Sequence, residues 1–145
     1  ILDEPTPALD ISVQAQILNL LLKLQKEYHL TYVIITHDLN VIRYVSDRIA
    51  VMYMGRLVEY GTIDDVLEHP LHPYTDILIH SVPVTDPDSR GGEKRKFPGE
   101  PGDVPDDPAA CRLAKRCPHV TERCLKETPP LKEVTPGHFA ECFLV

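Results

Sequence analysis

No stretch of this 145-residue sequence is apolar for long enough to cross a bilayer. The longest such run, Ile17 to Leu22, is bounded by polar residues at helical spacing. No signal peptide is visible. Basic charge is in deficit, with 22 acidic side chains against 15 Lys and Arg and a formal net charge of −7. That balance argues against a nucleic-acid binder that works by neutralising phosphates. The acidic excess is scattered along the chain and reads as ordinary solubility. Cysteine is missing from the first 110 residues, and the chain has no internal repeat.

The hydrophobic content of 43% is enough for a packed core. Its distribution divides the chain in three. Residues 1–83 alternate apolar strands with amphipathic helices. Residues 84–108 are rich in Pro, Gly and charge and read as a linker. Residues 109–145 carry all four cysteines and little periodic structure.

The first part opens on ILDEPTPALD, an apolar pair running into two carboxylates. Asp10 or Ser12 can cap the helix that follows, whose apolar positions Val13, Ile17, Leu20, Leu21 and Leu24 recur at helical spacing. TYVIITHD then reads as a buried strand. A short helix capped by Asp38 or Asn40 comes next. Two strands follow, joined by a turn at Met54-Gly55. Thr62 is the expected cap of a helix that Pro70 ends, and Pro73 opens another. Strand, helix and strand with a long crossover indicate a parallel sheet.

Ligands of such sheets bind beyond the carboxyl ends of the strands. Asp3 stands at one strand end, with Glu4 just past it. His37, in VIITHD, stands at the end of the next strand. Taken singly, the acids read as an ordinary turn and the histidine as a cap or a packed side chain. Taken together on one sheet edge, they suit phosphate chemistry.

In order and spacing, DEPTPALD, a helix and ITHD resemble the second half of the nucleotide-binding domain of ABC transporters. The resemblance covers residues 1 to about 68. It implies an α/β fold, the C-terminal half of a P-loop (RecA-like) ABC ATPase core with parallel strands, followed by a small irregular Cys-rich metal-binding extension. It implies that Asp3 is the Walker B aspartate at a Mg2+ site, that Glu4 is the catalytic glutamate, and that His37 is the switch histidine at the γ-phosphate. Pro7 to Asp10 match the D-loop, which meets a second ATPase subunit across bound ATP, with Asp10 among its residues. Pro7 stands where the family usually has Ser, so neither that hydroxyl nor a backbone N–H is present. No G-x-x-x-x-G-K-[ST] phosphate loop occurs in the 145 residues. The chain is therefore expected to be a piece of a longer subunit, inactive towards ATP by itself. Exposed strand edges would make it prone to self-association.

EHPLHPYTDILIHSVP, Glu68 to Pro83, is similar to the oligopeptide/dipeptide importer branch of that family. His69 and His72 read as exposed on a proline-broken helix end. The cysteines Cys111, Cys117, Cys124 and Cys142 are spaced C-x5-C-x6-C-x17-C. They are similar to the C-terminal extension of the same branch, which implies a [4Fe–4S] cluster with one thiolate per iron. Zinc, with His119 or His138 in place of a cysteine, is the alternative, although short CxxC knuckles are absent. Two disulfides or free thiols rank third. Ala110 and Leu113 stand where the branch often has Gly and an aromatic residue. Too few large apolar side chains follow residue 102 for a core, so a metal would act structurally.

The implied function is that of the ATPase subunit of a peptide importer. It would be peripheral on the cytoplasmic face of the membrane, bound to permease subunits and a second ATPase subunit. An extracytoplasmic solute-binding protein would be an indirect partner, and nucleic acid would not be one. A metal-binding interaction module, an importer of nickel or another small solute, and a non-transport ABC ATPase are the alternatives.

Overall fold

The computed structural model describes residues 1–6, 9–81, 100 and 102–145. Most of the expected linker lies outside the described residues, as do Pro7 and Ala8. The chain forms two compact units, Ile1–Ser46 and Asp47–Val145.

The first unit holds β1 (Leu2–Asp3), α1 (Ile11–Tyr28), β2 (Ile34–Ile35) and α2 (Leu39–Val45). β1 and β2 are parallel, with Leu2 opposite Ile34 and Asp3 opposite Ile35. The ladder continues past β1, where Glu4 N–H donates to Ile35 C=O at 2.9 Å. α1 is the crossover that a parallel pair requires. Asp10 occupies its N-cap position without a side-chain hydrogen bond. Its C-terminus ends in His29 in the left-handed conformation, φ 53°. Asp38 caps α2 through a 2.8 Å bond from Asn40 N–H.

The second unit holds β3 (Arg48–Tyr53), β4 (Arg56–Thr62), α3 (Ile63–Glu68), α4 (Pro73–His80), β5 (Lys132–Thr135) and β6 (His138–Ala140). β3 alternates cleanly, with Ile49, Val51 and Tyr53 buried and their neighbours exposed. Met54 and Gly55 turn the chain with φ of 47° and 77°. Positive φ at both central residues matches the twist of a two-residue hairpin. Thr62 accepts from Asp65 N–H and starts α3. Pro73 occupies the first turn of α4, where its missing N–H has no helical partner to lose.

Residues 109–145 are less irregular than their sequence suggests. β5 and β6 form a hairpin that extends the sheet in the order β3-β4-β6-β5, all antiparallel. Glu59 pairs with Ala140 and Tyr60 with Phe139. The segment shares the core of the second unit instead of needing one of its own. Leu113, Ala114, Pro129 and Ala140 are buried together with Val58, Val66 and Ile77.

Candidate functional site

The parallel pairing of β1 and β2 brings Glu4 and His37 to one sheet edge. His37 Nδ1 lies 2.9 Å from Glu4 Oε1. The side chains retain 77% and 50% of their exposure, so this is a solvent-facing pair. Exposed pairs of this kind add roughly 0–1 kcal/mol of stability. Glu4 nevertheless sits at φ 40°, in the left-handed region that side chains with a Cβ disfavour. Backbone strain with little stability in return is characteristic of functional sites. With Nδ1–H donated to the carboxylate, Nε2 is the ring nitrogen left for a ligand. It accepts in the neutral ring and donates once the ring is protonated.

Asp3 is exposed at the end of β1, next to the pair, and its hard oxygens suit magnesium. Asp10 is exposed beyond the described part of the turn.

The four cysteines come from three segments and line one small cavity, with His72, Pro73, Leu113, His119, Pro129, Phe143 and Leu144. About 10 Å3 of it admits a water-sized molecule. All four are free thiols. Cys111 N–H donates to Cys124 C=O at 2.9 Å, which ties the backbone at the first cysteine to that at the third. Burial pushes the Cys111 thiol up to about 11, and the neighbouring cysteines add to the shift. Cys117 and Cys142 are raised as well, again mainly by burial. Among the described residues no group of three or more His, Cys, Asp or Glu is placed to hold a metal ion. The expected ligand set thus lines one cavity, without closing into a coordination sphere among the described residues. His138 does not join it.

His138 is instead 3% exposed and donates from Nε2 to Glu59 Oε1 at 2.8 Å. Glu59 is fully buried on β4 and also accepts from the N–H groups of Leu71 and His72, at 2.8 and 2.9 Å. One carboxylate therefore joins β4, β6 and the loop between α3 and α4. A second buried acid, Glu141, pairs with Arg56 of β4 immediately before Cys142.

The exposure expected for His72 is not found. It is 3% exposed, and its Nδ1 accepts from Tyr74 N–H at 3.1 Å as the N-cap of α4. Burial lowers its pKa from 6.5 to about 4. His69 is exposed as expected. Glu59 and Glu141 were not among the residues expected from the sequence. The available signal was a charged residue within an otherwise apolar strand, since a buried charge needs partners.

The first unit is thus an α/β unit with a crossover-linked parallel pair that carries an acid and a histidine at its carboxyl edge. Residues 58–124 match the family described as oligopeptide/dipeptide transporter, C-terminal region. The chain is 44% identical over 147 residues to the oligopeptide transport ATP-binding protein AppF of Bacillus subtilis (strain 168). That alignment covers 99% of this chain and 44% of AppF. It is 44% identical over 143 residues to the oligopeptide transport ATP-binding protein OppD of Salmonella typhimurium, covering 99% of this chain and 42% of OppD. A putative peptide import ATP-binding protein of Brucella ovis is 42% identical over 140 residues, with 97% and 44% covered. Over nearly its whole length the chain is thus similar to oligopeptide transport ATP-binding proteins, and residues 58–124 match the C-terminal region of oligopeptide/dipeptide transporters. It spans less than half the length of the curated relatives it matches. Among the described residues no helix is long and apolar enough to cross a membrane.

Proposed function

We propose that this chain is part of the ATP-hydrolysing subunit of an ABC importer for oligopeptides or dipeptides. The observation that carries the reading is the Glu4–His37 pair at the carboxyl edge of two parallel strands. Glu4 acts as the general base: it orients the attacking water and accepts its proton. His37 holds the Glu4 carboxylate through Nδ1–H and presents Nε2 to the γ-phosphate. Asp3 would hold magnesium, which when bound offsets the negative charge of the phosphate oxygens. Asp10 lies in the stretch that meets a second ATPase subunit. The phosphate cradle is absent from these 145 residues, so they do not hydrolyse ATP alone.

The full subunit docks on membrane-spanning permease subunits at the cytoplasmic face. ATP closes the pair of ATPase subunits, and hydrolysis reopens it. Peptide as the solute rests on the names of the relatives. Uptake of a labelled peptide in cells lacking this subunit, restored by the wild-type gene but not by a Glu4→Gln copy, tests the reading. Restored uptake of nickel instead of peptide would move the solute assignment.

The cysteine cavity holds a [4Fe–4S] cluster in this reading. The donor set fits, since four thiols from three segments face one space. Ligands to a four-iron core each bind a different iron and need not converge on a single ion. Such a core would supply a cross-link between the segments. The chain's own part is to present Cys111, Cys117, Cys124 and Cys142 and to supply Arg56 nearby as a positive charge. Iron and acid-labile sulfide in protein purified without oxygen test this, and zinc in their place would overturn the cluster.

A further inference from the structure

The His-Pro-Tyr stretch and the cysteines lie far apart in sequence, yet His72 lines the cysteine cavity. Its environment is built. Glu59 Oε2 takes the His72 N–H at 2.9 Å, and Glu59 Oε1 takes the neighbouring Leu71 N–H at 2.8 Å. The ring is fixed on its other side, where Nδ1 accepts from Tyr74 N–H. A ring nitrogen that accepts carries no proton, so the single proton of the neutral ring is on Nε2. None of the hydrogen bonds among the described residues uses His72 Nε2. The side chain is 3% exposed.

Ser, Thr, Asp or Asn ordinarily fill an N-cap. Any of them would satisfy Tyr74 N–H. Histidine does one thing more: its rigid ring accepts at one edge and donates at the opposite edge. We propose that the Nε2–H of His72 donates a hydrogen bond to a sulfur atom of the centre that the four cysteines hold. His72 is then a positioning residue and not a ligand. The inference rests on the iron–sulfur reading and deepens it.

Reduction adds negative charge to a cluster, and a donor to its sulfur stabilises the reduced form. Hydrogen bonds to sulfur are one of the levers that set such potentials. The α3–α4 loop, held by Glu59, thus contributes to the electronic state of a centre whose ligands all lie beyond residue 110.

The test uses the full-length subunit purified anaerobically, as wild type, His72→Asn and His119→Asn. Asparagine at position 72 keeps a capping oxygen for Tyr74 N–H and removes the donor at the far edge. Iron and sulfide are measured first, then the midpoint potential, then pulsed EPR of the reduced protein labelled with 15N-histidine. The expected result is full cluster content in His72→Asn with a lowered potential. A weak nitrogen coupling should be present in wild type and His119→Asn and lost in His72→Asn. Wild-type protein with a cluster but no such coupling, or an unchanged potential in His72→Asn, would overturn the inference and leave the cluster in place. The wild-type coupling decides alone if His72→Asn does not fold. Anaerobic wild type without iron and sulfide would remove both the cluster reading and the inference.

Discussion

His37 Nδ1 is 2.9 Å from Glu4 Oε1, although 33 positions separate the two residues in the chain. Register explains the meeting. Asp3 pairs with Ile35, so the residues that follow each partner leave the sheet at the same edge. His37→Ala should therefore affect the same step as loss of Glu4. In the full-length subunit we expect turnover to fall by roughly 10²–10⁴-fold, the usual range for a group that acts on proton transfer. A Glu4→Gln, His37→Ala double variant should fall little further, because residues acting as a unit are not additive. Steady-state phosphate release checks this, and additive losses would mean independent roles.

Glu59 gathers three donors in a site that excludes water. Glu59→Ala leaves them without an acceptor and should destabilise the protein by several kcal/mol, at about 1–3 kcal/mol for each buried donor left unsatisfied. Glu59→Gln keeps one carbonyl oxygen and should be milder. Urea unfolding of the two variants gives the comparison. A loss within experimental error for Glu59→Ala would contradict the role of this carboxylate as a junction.

Gly61 has its own reason to be glycine. A Cβ there would lie 3.0 Å from both His138 Cδ2 and Val66 Cγ2. Both neighbours are buried, and His138 is held by Glu59. Gly61→Ala should cost about 1–3 kcal/mol through overpacking. It should also weaken the His138–Glu59 bond, visible as a changed His138 imidazole resonance in NMR. An unaltered resonance would mean that Val66 alone yields.

The folded pKa of His72 lies below its ordinary value, at about 4 against 6.5. The unfolded chain therefore binds the extra proton between these pH values, and stability rises with pH across that window. The contribution is fully present above about pH 6.5 and is lost as pH falls through about 4, a difference of roughly 3 kcal/mol at 1.36 kcal/mol per unit. Cys111 has the opposite sense. Its thiol is raised from 9.0 to about 11, so metal-free protein should lose stability as pH rises across that interval. Thermal melts from pH 4 to pH 11 check both limbs. His72→Asn should flatten the acid limb only.

Much of the first unit was legible in the sequence because its signals are local, although the burial expected for TYVIITHD is not found: β2 spans only Ile34–Ile35, and Val33 and Ile35 are exposed. An apolar run ending in Asp-Glu, a helix of regular period and a second apolar run ending in His and Asp specify strand ends on one edge. The caps at Asp38 and Thr62 and the turn at Met54-Gly55 follow from single residues and their neighbours. The second unit depends on distant partners. β5 and β6 span four and three residues, too short to show a period, and they become strands by pairing with β4. Glu59 and His138 lie 79 positions apart, and nothing near either residue announces the other. His72 misled for a physical reason. Prolines 70 and 73 break the helix as expected, but the break turns the imidazole inward to cap α4.

The role proposed for Glu4 is that of the base of an ATPase site assembled on this edge. It is tested most directly by ATP turnover of the full-length subunit in its transporter complex, wild type against Glu4→Gln. ATP binding should be retained, with hydrolysis reduced by at least roughly 100-fold. Undiminished turnover in Glu4→Gln would contradict it and would leave the Glu4–His37 pair without its assigned chemistry.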